Sequence, residues 1–148
     1  MGQYVLRAGL ISVIPSYAIG FALMTLLAMA GFEVEDLGPD FGDISPTIFF
    51  IQAVLFAPFI ESLLLALTIW VLSFLITRPV PLAVAAAAVW AVLHSLTAAV
   101  WGLVIAWPFF VFSCAYLAWR PVSWWKAIAA ATAVHMFQNF WPSLLMFL

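Results

Sequence analysis

A carboxylate beside an imidazole can take a proton from water and so make a nucleophile, while a second imidazole and a carboxamide can donate hydrogen bonds to an oxyanion. One set of residues could share that chemistry: Glu61, His94, His135 and Asn139. Glu61 stands in one long apolar run, His94 in a second, and His135 with Asn139 in a third. An ionisable side chain at membrane depth is expensive unless paired, so an intramembrane acid is more often functional than structural. His135 and Asn139 are four positions apart, which on a helix aims both at one point of a bundle, one turn separated. Hydrolysis of an acyl bond needs both halves of this set. No serine or cysteine nucleophile is required and no metal or cofactor is expected, although one carboxylate with two imidazoles is also a ligand set that zinc accepts.

Each of these residues has a plainer explanation when taken alone. Glu61 could be a protonated hydrogen-bond donor, and His94, His135 and Asn139 could bridge neighbouring helices. Their co-occurrence is the argument against that reading, because structural glue would be scattered and nearly every strongly polar side chain deep in the apolar runs belongs to this one set. Gln52 and Gln138 are the main exceptions. Gln138 points about 100° away from Asn139 on a helix and reads as interhelical glue. Thr68, Ser73, Thr97, Ser113 and Thr132 are expected to return hydrogen bonds to their own helix backbones.

The elements that must position these groups follow from composition. Of 148 residues, 68% are hydrophobic and 7% charged, against roughly 45 to 50% and 25% in a soluble domain. That excludes a water-soluble globular protein, and four Lys or Arg against six Asp or Glu exclude nucleic acid as a partner. A mean hydropathy of +1.24 with eight Trp and fourteen Phe points to an all-α, polytopic membrane helix bundle, a single transmembrane domain over 1–148. A lone cysteine, Cys114, makes no internal disulfide. Apolar runs of about 20 residues suffice to cross a bilayer. Five such spans are expected, near 8–30, 47–77, 81–100, 102–119 and 124–148. The second is too long for one upright span, and Pro58 should kink or break it. Trp101 with Gly102 is the expected turn between the third and fourth, which makes those two helices antiparallel neighbours. The first span exceeds the apolar core of a signal peptide and is expected to be a retained helix.

Arg7, Arg78, Arg120 and Lys126 fall on one side of this threading, which should be cytoplasmic. The expectation is an integral protein of the plasma (inner) membrane, N-terminus inside and C-terminus outside, with Trp119, Trp124 and Trp125 in an interfacial belt. Measured from the basic end at about 1.5 Å per residue, the four polar residues lie in one layer roughly 14 to 24 Å deep. The run of small residues at 83–88 suits close helix packing.

At these residues the sequence resembles the CAAX protease and bacteriocin-processing (CPBP, or Abi) family of glutamic intramembrane proteases, which includes prenyl endopeptidases and myxosortases. The family's first motif, Glu-Glu-x-x-x-Arg after Ala-Pro, is represented by Ala57-Pro58-Phe59-Ile60-Glu61, with Ser62 where the second Glu would be and Ala66 where the Arg would be. The second, Phe-x-x-x-His, appears as Trp90-Ala91-Val92-Leu93-His94, and the third, His-x-x-x-Asn, is intact as His135-Met136-Phe137-Gln138-Asn139. The resemblance implies that Glu61 and His94 activate the attacking water and that His135 and Asn139 stabilise the tetrahedral intermediate. Losing the second Glu and the Arg together leaves no unpaired buried charge, which is compatible with a trimmed active enzyme or a retired one.

Two classes of function follow from these residues. One is an intramembrane endopeptidase that cuts a membrane-anchored peptide or protein substrate. The other is a non-catalytic relative serving partner membrane subunits as a component or assembly factor. A third, weaker reading has His94 and His135 holding a metal or pigment. The acidic stretch Glu33, Glu35, Asp36, Asp40, Asp43 could dock a cationic peptide, although a hydrated loop is the more ordinary reading.

Overall fold

A computed structural model describes residues 1–33, 38–39 and 42–147. Glu35, Asp36 and Asp40, which carry most of the expected acidic docking loop, lie outside the described residues, as does Leu148. The fold is all-α, with five helices among the described residues: α1 (Gly2–Met29), α2 (Pro46–Leu72), α3 (Pro79–Ser95), α4 (Trp101–Trp119) and α5 (Trp124–Leu145). Three of them, α1, α2 and α4, are long and apolar enough to cross a membrane, the mark of an integral membrane protein. The α3 helix is apolar but has 17 residues, about 26 Å at the helical rise. The α5 helix has 22 residues, but Lys126, His135, Gln138 and Asn139 dilute its apolar character.

Local chemistry sets the helix ends. Glycine closes α1: Gly31 adopts φ +88°, its N–H donates to Ala28 and the Phe32 N–H donates to Leu27, which is the paired bonding of a Schellman stop. Ser45 caps α2 by accepting from the Ile48 N–H at 3.4 Å, and Pro46 follows at the first helical position, where a missing amide does no harm. Of the expected kink or break at Pro58, a break does not occur: α2 runs on through it. A π-helical stretch, Ile51–Phe56, absorbs the irregularity instead.

The expected turn at Trp101 and Gly102 is displaced. The link occupies 96–100, and both residues lie in the first turn of α4. Gly102 is there for close packing: a Cβ at that position would collide with the Ala91 carbonyl oxygen and the Ser95 hydroxyl of α3. The two helices do pack as neighbours, with Trp90 stacked on Phe109 at 4.6 Å.

The core forms where small residues let helices approach. Ala83, Ala86, Ala87 and Trp90 are buried at helical spacing on α3, facing α4, while Val84 and Ala88 between them face outward. Ala127, Ala130 and Ala131 of α5 are fully buried as well. Large apolar side chains such as Phe21, Leu75 and Leu96 remain 78%, 85% and 79% exposed, as lipid contact requires. At the basic end Tyr4 of α1 meets Trp119 of α4 edge to face at 5.9 Å, so the start of α1 lies beside the end of α4. Pro15 removes the amide that would have bonded the Ile11 carbonyl four residues earlier, and Trp107 Nε1 donates to that oxygen at 2.8 Å.

Candidate functional site

The four polar residues singled out from sequence line one cleft of about 920 Å³. Three helices supply them: Glu61 from α2, His94 from α3, and His135 with Asn139 from α5. The α1 and α4 helices complete the wall through residues such as Ser16 and Phe109.

Glu61 is placed by the irregular part of α2. In the π-helical stretch the Ala57 N–H reaches back to the Gln52 carbonyl, one residue further than in an α-helix. The next bond in that register would run from residue 58 to the Ala53 carbonyl, but Pro58 has no N–H. Asn139 supplies the missing donor, its Nδ2 bonding the Ala53 oxygen at 2.9 Å. A proline on one helix thus explains an asparagine on another. The wide turn also shifts the downstream face of α2 by about 100°, and this phase directs Glu61 into the bundle.

Glu61 Oε2 lies 3.9 Å from His135 Nε2, the one ion-pair contact among the described residues. The carboxylate side chain is 25% exposed and the imidazole 5%. This separation is too long for a direct hydrogen bond. His135 is held by stacking on Phe112, with ring centroids 4.3 Å apart, and by the edge of Phe109 at 5.5 Å.

His94 meets the other side of this aromatic group. Its ring lies 5.1 Å from Phe109 and stands edge-on to Trp101 at 4.8 Å. Its Nδ1 is 2.9 Å from the Trp90 carbonyl. A carbonyl only accepts, so Nδ1 carries the proton and Nε2 of the neutral ring is left as an acceptor. The resemblance pairs Glu61 with His94, whereas the ion-pair contact in the structure is with His135. Asn139 uses one of its two amide protons on Ala53 and keeps the other.

Gln138 has the interhelical role expected of it, whereas the aromatic residues that hold the imidazoles are not singled out by the sequence. Gln138 accepts from the Ser12 hydroxyl at 2.7 Å and donates to Ser16 at 3.0 Å, tying α5 to α1 while also lining the cleft. Trp101, Phe109 and Phe112 fix the two imidazoles. Their one sequence signal is that 109 and 112 share a helical face, which in so aromatic a chain says little. Ser62 and Ala66, at the positions of the family's second Glu and Arg, are buried, and the Ser62 hydroxyl has no hydrogen-bond partner. Among the described residues no three His, Cys, Asp or Glu side chains are grouped closely enough to hold a metal ion. The chain matches no known protein-family model, no curated protein and no solved structure.

Proposed function

We propose that this chain is an intramembrane endopeptidase of the CPBP type, a five-span bundle that hydrolyses a peptide bond of a membrane-associated substrate. One observation carries the reading: Glu61, His94, His135 and Asn139, drawn from three helices, converge on a single cleft. In this mechanism a water held against Glu61 gives it a proton, with His94 Nε2 as the second acceptor, and the resulting hydroxide adds to the scissile carbonyl carbon. His135 and the remaining Asn139 N–H donate to the oxyanion that forms. The C–N bond then breaks, Glu61 returns its proton to the departing amine, and the products are a carboxylic acid and an amine. No covalent enzyme intermediate is needed.

Glu61→Gln tests this directly. The variant keeps the shape of the side chain but cannot take a proton. Membrane-protein termini are compared by mass spectrometry between cells making the parent chain and cells making the variant. New termini that appear with the parent and vanish with the variant support the proposal. Termini that persist in the variant reject Glu61 as the base.

A second reading, a non-catalytic subunit or assembly factor, draws on the bonds from His94 and Asn139 to backbone carbonyls, a common structural use of such side chains. Copurification of stoichiometric membrane partners, with no processed terminus, favours it.

A further inference from the structure

The cleft occupies one half of the bundle. It takes α1 from Ser16 onward, α2 up to Glu61, the last turn of α3 at His94, α4 up to Phe112, and α5 from His135 onward. In each helix this is the half remote from the nearest basic residue. Arg7 lies near the start of α1, Arg78 caps the start of α3, Arg120 ends α4, and Lys126 sits in the first turn of α5. None of the described residues lining the cleft is Lys or Arg. Asp43 directly precedes Ile44, which lines it.

Basic residues mark the cytoplasmic ends of spans because Lys and Arg resist translocation. Resting on the peptidase reading, we infer that the cleft is loaded from the outer face of the membrane and that its substrate is a translocated polypeptide segment with apolar side chains beside the scissile bond. The apolar requirement comes from the approach to the polar floor. Phe21 and Met24 of α1, Phe49 of α2 and Leu145 of α5 form much of its wall, with no charged side chain but Glu61 among the described lining residues, so a segment reaching Glu61 passes mostly hydrocarbon. A charged side chain there would lose its water without gaining a partner. Among the described residues, the core between the basic ends and the site is filled by Leu65, Ile69, Ile128 and Val134, each at most 2% exposed, and a smaller cavity of about 330 Å³ beside Arg7 has none of the four polar residues in its lining.

The test is sided labelling of the full chain in intact cells. Cys114→Ser removes the one native thiol. Met24→Cys and Leu145→Cys then place single thiols on the cleft wall, and Ser123→Cys places one at the basic end. A membrane-impermeant maleimide is expected to label the two cleft thiols at least tenfold faster than Ser123→Cys in intact cells, and permeabilisation is expected to abolish the difference. Labelling of Ser123→Cys alone in intact cells, or of the cleft thiols only after permeabilisation, overturns the inference. An added capped Phe-Leu-Phe peptide should slow labelling of Met24→Cys, whereas a capped Glu-Ser-Glu peptide should not. Equal effects of the two overturn the apolar preference. None of these readouts requires cleavage, so failure of Glu61→Gln to abolish processing would reject Glu61 as the base while leaving the sidedness result intact.

Discussion

The bond between Asn139 and the Ala53 carbonyl makes a quantitative prediction about two residues on different helices. Asn139→Ala removes the donor that replaces the amide Pro58 lacks, leaving a carbonyl unpaired in an apolar surrounding. An unpaired buried polar group costs about 1–3 kcal/mol, while side-chain hydrogen bonds measured inside membranes average about 0.6 and reach about 1.7 kcal/mol. The expected loss for Asn139→Ala is therefore about 1–1.5 kcal/mol. Pro58→Ala restores an N–H that can close on Ala53 in the existing π register, so in that background the loss should fall to about 0.5 kcal/mol or less. Unfolding of the four proteins in mixed micelles, titrated with denaturing detergent and followed by circular dichroism, completes the double-mutant cycle. Independent sites add to within about 0.3–0.5 kcal/mol. Equal losses from Asn139→Ala in both backgrounds would refute the account of the π-helical stretch, and with it the explanation of how Glu61 is aimed.

Other substitutions follow the same logic. Gly102→Val forces a side chain into the Ala91 carbonyl and should destabilise the chain by about 1–3 kcal/mol or more, read in the same micelle titration. Trp107→Phe leaves the Ile11 carbonyl without its donor and should lose about 1 kcal/mol, an effect that Pro15→Ala should reduce by returning an amide to α1. Gln138→Leu cuts both bonds to α1 and should raise proteolytic cleavage at the end of α1 in micelles, with a stability loss of about 1–2 kcal/mol. Once a cleaved terminus is in hand, His94→Gln should lower its rate of formation by about 10²–10⁴, the usual worth of a general acid–base partner. Unchanged turnover would leave His94 a structural contact with Trp90.

Hydrophobic content and run length were enough to read an all-α chain with apolar spans, because a chain of this composition must satisfy its backbone internally. Of the five helices, α1, α2 and α4 carry the length and composition of a span, while α3 is shorter and α5 is diluted by its own polar residues. Boundaries failed where a residue type has two uses. Gly102 suggests a turn and is a packing contact; Pro58 suggests a kink or break and is accommodated by a wider turn, with Asn139 as the donor to the Ala53 carbonyl.

The identities of the polar residues, and the four-residue spacing of His135 and Asn139, are legible in one dimension because a lone acid or imidazole in hydrocarbon is conspicuous. Their partners are not. That Glu61 approaches His135 at 3.9 Å, that Phe109 touches both imidazoles, and that Gln138 ties α5 to α1 through two serines depend on how five rods are rotated about their axes and set side by side. Those rotations are governed by many weak van der Waals contacts among small residues, and in lipid no solvent contrast singles out one face from another. Local pattern therefore names the groups, and packing alone says which of them meet.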